Sequence, residues 1–528
     1  MTTAALPDGL DADAIPDAGR ILGWIQEVFD RGIRRPGYDA DIWAETFIAD
    51  RFRAFGLESV RLEPAEVIRW EPRRCSLRVT TSDGGERDLD AFPLPYGRPV
   101  EEIEVELVAY RSEDPDDVAG GAALVHAPLL EAPPATFAGA GSAPADTTAR
   151  IHDPDGTFDG EMHLLPFTAL VQEVTHRVEE AGAVAFVGSL RDYPGDSIDY
   201  FVPYTGESGA IPGVWVRGSD GEWLDEQLAV GPVRIRLTIE STAELFVSHN
   251  VVGELPGADD DVVMIGSHHD GPWASAVEDG SGIALVLAQA AFWAAQPTDR
   301  RPHRLVFVVQ AGHMCGSAGQ DAYIAAHRDE LDRVVLEVHL EHAALDVEER
   351  AGGLVPVDRC TPRWFFTSRI DRLERDVFAA IVDEDLRRSM LLAPDAIGPR
   401  PTTDGSGYHD AGVPIVQFLS APFYLFDRID TMDKIDRPNL VALTRAAVRI
   451  VDSTAGVSAD AMRRGGRGGS DGPLVLVESD DVDASARAVT EAGGVPDGDV
   501  YAYPGGRRFT FMDPDGNRLG VFQSDHSA

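Results

Sequence analysis

The chain has 528 residues, 44% of them hydrophobic, and a formal net charge of −43. That length exceeds one ordinary core, so two or three domains are expected. The charge repels phosphate backbones and anionic lipid, arguing against nucleic acid or a membrane as partner. No run approaches the roughly twenty apolar residues of a membrane span, and residues 1–20 lack the basic-then-apolar pattern of a signal peptide. Cys75, Cys315 and Cys360 match no disulfide or zinc spacing, which fits a cytoplasmic protein.

Between Asp39 and Gly56, residues Ile42, Trp43, Phe47, Ile48, Phe52 and Phe55 recur at helical spacing and predict an amphipathic helix. Strand-like runs follow at 76–80 and 105–108. Residues 101–244 then read as a β-rich insert: ALVHAPLL, a helix ending in AGAVAFVGS, the stretch IPGVWVRGSDGEWL and a strand at 233–239. The main unit, 1–100 with 245–456, resumes at SHNVVGELPG. Apolar strands at 262–265, 305–309, 334–340 and 415–419 alternate with helices at 282–295, 320–327, 373–382 and 439–452. This alternation predicts an α/β fold, a mostly parallel sheet with helices on both faces. The RRGGRGGSDG run makes 457–472 a linker. Residues 473–528 form a small α+β module: the strand PLVLVES, an amphipathic helix, and a hairpin turning on Asp-Pro-Asp-Gly-Asn.

The chemistry concentrates in VVMIGSHHDGPWASAVEDGSGIALVLAQA, residues 262–290. An apolar strand ends in His268-His269-Asp270, and Gly280-Ser281-Gly282 opens the next helix. Side chains alternate along a strand, so His268 and Asp270 share a face while His269 points away. An imidazole backed by a carboxylate is a recurrent metal-ligand arrangement, and the carboxyl ends of strands are where open α/β sheets place their sites.

This stretch resembles the zinc aminopeptidase and glutamate carboxypeptidase family of metallopeptidases, and the resemblance extends over most of 39–456. It implies His268 as a metal ligand, Glu278 at the metal-bridging position and Asp279 beside it. AGHMCGSAGQDAYIAAH (311–327) aligns with the family's Glu-Glu motif, so His313 stands at the general-base position and Met314 at a ligand position. Glu341 matches the ligand at a strand end, and Phe426 falls where a late ligand histidine is expected. The resemblance therefore implies one half of a two-metal site kept, by His268, Glu278 and Glu341, and the other half lost to Met314 and Phe426. One divalent ion is expected, zinc by default, with manganese or iron as alternatives. Asp270 and His313 are the expected catalytic pair, and Asp279, His339 and His409 are further candidates. His269 and His342 are expected to face away, and His303 to sit in a solvated turn.

The insert resembles a protease-associated domain, and the tail resembles half of a glyoxalase/bleomycin-resistance module. The tail has Gly520 where such modules often carry a metal-binding glutamate. Half modules of this kind pair, so the tail would make a homodimer or pack on the main unit. Three functions stay open. The first is a single-metal hydrolase of peptide or other amide bonds. The second is an inactive pseudopeptidase acting as a binding or scaffold protein. The third is a lyase or oxygen-using metalloenzyme on the same fold.

Overall fold

The computed structural model describes residues 4–143, 147–166, 168–350, 353–464, 475–496, 498, 500–503, 506–512 and 518–524. Helices α1 (Ala18–Phe29) and α2 (Asp39–Phe55) open the chain, and α2 stops at Gly56, whose φ of 90° closes the helix end. Strand β1 (Glu58–Thr80) leads into the insert, whose strands are β2 (Val100–Ala109), β3 (Ala122–Pro128), β4 (Ala185–Arg191) and β5 (Gly213–Val216). Helices α3 (Thr168–Glu180) and α4 (Gly218–Val230) alternate with them. The four strands are parallel neighbours, and one face buries Leu107, Leu124, Val187 and Val214 in a cluster of its own.

Strand β6 (Val233–Leu255) returns antiparallel to β1 along almost its whole length. It pairs with β2 near its start and with the central sheet near its end, so a two-stranded ribbon carries the insert and passes residue 244 without a break. Only the apolar ends of this ribbon read as strand in the sequence. Inside it charged residues pair across the strands, as Arg74 and Glu240 do at 3.4 Å.

In the main unit come β7 (Val262–His268), α5 (Gly282–Ala295), β8 (Arg304–Gln310), α6 (Ala318–Ala326) and β9 (Val334–Leu340). They are followed by β10 (Arg363–Thr367), α7 (Asp371–Asp383), β11 (Ser389–Leu392), α8 (Ser406–Asp410), β12 (Ile415–Ser420) and α9 (Leu440–Asp452). The sheet order through this unit is β6-β8-β7-β9-β12-β10-β11. Strands β8, β7, β9 and β12 are parallel, so their carboxyl ends share one edge, with β7 in the middle. Helix α5 is almost entirely apolar and buried, which suits a helix enclosed between the sheet and α1, α2 and α9. The mostly parallel sheet with flanking helices is the fold class expected.

In the tail, Val475–Glu478, a helix at Val482–Glu491 and the antiparallel strands Gly506–Met512 and Arg518–Ser524 form a small sheet. The expected Asp-Pro-Asp-Gly-Asn turn and residues 465–472 of the linker lie outside the described residues, while the first half of the linker holds a helix, Ala459–Arg464, with Ala459 and Met462 buried. The tail rests on the main unit: buried Arg508 donates to the carbonyls of Asp395 and Gly398. Among the described residues no helix is long and apolar enough to cross a membrane.

Candidate metal centre

His268 is the last residue of β7 and is fully buried. Its Nε2 lies 3.0 Å from Asp404 Oδ2 and 3.5 Å from Glu278 Oε1. His313, three residues past β8, brings Nε2 to 3.0 Å from Asp404 Oδ1, and its ring centroid is 4.5 Å from that of His268. His268, Glu278, His313 and Asp404 each offer a ligand atom within 4.8 Å of the others. Glu341, His342 and Asp404 form a second such group, so Asp404 is common to both.

These atoms approach one another without being satisfied. Both imidazole nitrogens of His268, both oxygens of Glu278, Nε2 of His313 and His342, Oε2 of Glu341 and Oδ2 of Asp404 are buried with no hydrogen-bond partner among the described residues. Buried polar atoms are ordinarily paired, and leaving one unpaired costs about 1–3 kcal/mol. Apart from His268 Nδ1, which faces Asp270, these unpartnered atoms converge on one small volume, which fits a cation, and imidazole with carboxylate is a donor set suited to zinc.

The electrostatics agree. Burial alone would strip His268 of its proton, but Asp270, Asp404 and Glu278 outweigh it and hold the imidazole well above the usual range. Burial, with Asp404 and Asp279 nearby, pushes Glu341 well above the carboxylate range, the mark of negative charge lacking a counter-ion. Burial lowers His313, with Asp404 working against it.

Each expected residue has a definite place. Asp270 opposes burial through its neighbouring histidines and falls to about 2. It sits 3.5 Å from Nδ1 of His268 and accepts from the amides of His313 and Met314 at 3.0 and 2.7 Å, so it orients two site residues rather than facing the cluster. Asp279 turns toward the fold: it accepts from Ser267 Oγ, and from the Gly282 amide at 3.0 Å. His339 leans on Glu337 at 2.9 Å, and its Nε2 is 3.8 Å from Glu341. His409 lies half-buried on α8 and belongs to neither group.

Asp404 reaches in from the loop before α8, and its amide donates to Glu341 Oε1 at 3.2 Å, so Glu341 adjoins the first group through Asp404. Two expectations need correction. His342 does not face away. The strand ends at Leu340 and His342 takes φ 31°, which breaks the alternation and swings its Nε2 to 2.5 Å from Glu278 Oε2. His303 is buried, held by Asp259 at 2.8 Å and Thr454 O at 2.9 Å. His269 does point away, to Asp41 at 2.7 Å. Met314 is buried, and Phe426 stacks on Tyr204 of the insert at 5.1 Å.

Residues 250–451 match the family description "Peptidase family M28". The chain aligns with the structure of a peptidase M28 precursor from Shewanella amazonensis at a TM-score of 0.63 and 19% identity, over 84% of this chain and 95% of that one. An aminopeptidase from Aneurinibacillus sp. aligns at 0.56 and 17%, over 84% and 94%. BSAP, a zinc aminopeptidase from Bacillus subtilis, aligns at 0.56 and 18%, over 82% and 95%. No curated protein matches. Over residues 250–451 the chain therefore matches Peptidase family M28, and it has the aminopeptidase fold with a candidate His/Glu/Asp metal site.

Proposed function

We propose that the protein is a metal-dependent hydrolase of peptide or aminoacyl amide bonds with a remodelled site that holds one zinc ion. The observation that carries this is the convergence of His268, Glu278, His313 and Asp404, whose inward lone pairs are buried and unpaired. A divalent ion held there would polarise a scissile carbonyl and acidify bound water. With the ion held by His268, Glu278 and Asp404, His313 Nε2, 3.0 Å from Asp404 Oδ1, would be left to take a proton rather than to ligate, while Asp270 anchors the His313 turn and lies beside His268. Tyr204, 5.3 Å from the His313 ring, and Phe426 wall the site with aromatic surface that suits an apolar side chain of the substrate. The likeness to zinc aminopeptidases supports a peptide substrate with a free amino end.

A second reading, two ions sharing Asp404, is favoured by the separate group of Glu341, His342 and Asp404. Elemental analysis and zinc titration of the full chain separate the two by stoichiometry. A panel of aminoacyl p-nitroanilides and dipeptides then tests hydrolysis. Absence of any stoichiometric divalent ion sinks the metalloenzyme reading. Tight binding with no turnover across the panel leaves a binding protein on a peptidase fold.

A further inference from the structure

The loop joining His268 to Glu278 has little regular structure of its own, yet both its ends supply the cluster. What shapes it is Arg34, from the segment between α1 and α2. The guanidinium is fully buried and lies inside the loop. Nε donates to His269 O at 3.1 Å, one terminal nitrogen to Ala274 O, and the other to Ser275 O at 3.0 Å and Glu278 O at 3.4 Å. The Arg34 backbone adds two more bonds, its amide to Trp273 O and its carbonyl from the Gly271 amide, both at 3.0 Å. The loop is wound tightly: a Cβ on Gly271 would stand 2.6 Å from Glu278 O and 3.3 Å from the guanidinium.

The far side of the loop is held by Asp430, buried in the tract after β12. Its carboxylate accepts from the amides of Val277 and Glu278, each at 2.9 Å. The Glu278 residue is thus gripped at both backbone polar groups, its N–H by Asp430 and its C=O by Arg34. Arginine is suited to this because its planar fork presents five N–H donors in fixed directions. A lysine ammonium offers three from one point and cannot span carbonyls spread around a ring.

We propose that Arg34 is a positioning residue that sets the cation affinity of the His268, Glu278, His313 and Asp404 cluster by fixing the loop between its first two members. This rests on the metal-site reading above. Arg34 lies outside residues 250–451, the stretch that matches the peptidase family.

The test uses the full chain as wild type, Arg34→Lys and Arg34→Ala. Zinc affinity is measured by competition with a chromophoric chelator, coordination by the visible spectrum of the cobalt(II) form, and folding by thermal melting. Partners of metal ligands typically change affinity about 10- to 100-fold, and a loss of that size is expected for Arg34→Lys with its melt retained. A weakened or shifted cobalt band is expected with it, and added guanidinium should restore Arg34→Ala toward wild type. A folded Arg34→Lys with wild-type zinc affinity and cobalt spectrum overturns the proposal. So does an Arg34→Lys that fails to fold, because the role is then global. Failure of the wild type itself to bind zinc overturns the metal reading, and is told apart by being seen before any variant is compared.

Discussion

Glu278 spans two imidazoles: its Oε2 is 2.5 Å from Nε2 of His342, and its Oε1 is 3.5 Å from Nε2 of His268. Burial opposes charge on this carboxylate, but His342 and His268 hold it below the usual range. Removing one partner of a buried pair strands the other, at a cost of about 3–5 kcal/mol. His342→Ala is therefore expected to lower the melting temperature of the metal-free protein and to have that loss partly repaired by zinc. Melting curves with and without zinc check this; a variant as stable as wild type in the metal-free state would show that His342 does not support Glu278.

Asp404 contributes to both groups and is held below the usual carboxylate range, against burial, by His313, His268 and His342. Asp404→Asn keeps the shape and removes the charge. Zinc affinity is expected to fall about 100-fold, at the upper end of what a carboxylate near a metal contributes, and hydrolysis to fall with it. Competition titration against a chelator reads the first effect directly. An Asn variant that binds zinc as the wild type does would remove Asp404 from the ligand set.

The strands that carry the site were legible because they are buried on both faces and read as apolar runs: β7, β8, β9 and β12 all lie where the sequence put them. His268 was legible as a histidine at the end of such a run. Asp404 was not, since it sits in a loop where no periodicity marks one aspartate from another. For His342 the alternation rule fails for a physical reason: it holds only while the strand lasts, and the positive φ of His342 ends it. Arg34 and Asp430 were equally hidden, because a guanidinium that binds backbone carbonyls leaves no spacing pattern in the sequence.

Metal removal should be visible in stability. Without a cation, Glu278, Glu341 and Asp404 crowd together and Glu341 is driven far above its ordinary range. A ligand that binds only the folded state stabilises it by about 2.7 kcal/mol at a hundred times its dissociation constant. EDTA dialysis is expected to lower the melting temperature by a few degrees, zinc to restore it, and magnesium to do so poorly, since it favours oxygen donors in octahedral geometry. A melt indifferent to EDTA and to added zinc would count against an occupied site.

His163 supplies a pH effect separate from the metal. It is buried on a short strand beside the main sheet, and its Nε2 donates to Ala421 O at 3.2 Å. Burial lowers it from the usual 6.5 to about 4. The unfolded chain therefore gains a proton below pH 6.5 that the folded chain refuses until near pH 4. Its contribution to stability is full above 6.5 and is lost progressively as pH falls between those values, by about 3 kcal/mol. In His163→Gln, an amide can still donate to Ala421 without titrating. The variant is expected to match the wild type less well at pH 7.5 than at pH 5, where its melting temperature should approach or exceed that of the wild type. Parallel melting curves for the two proteins from pH 5 to 8 would refute this if the gap between them stayed constant.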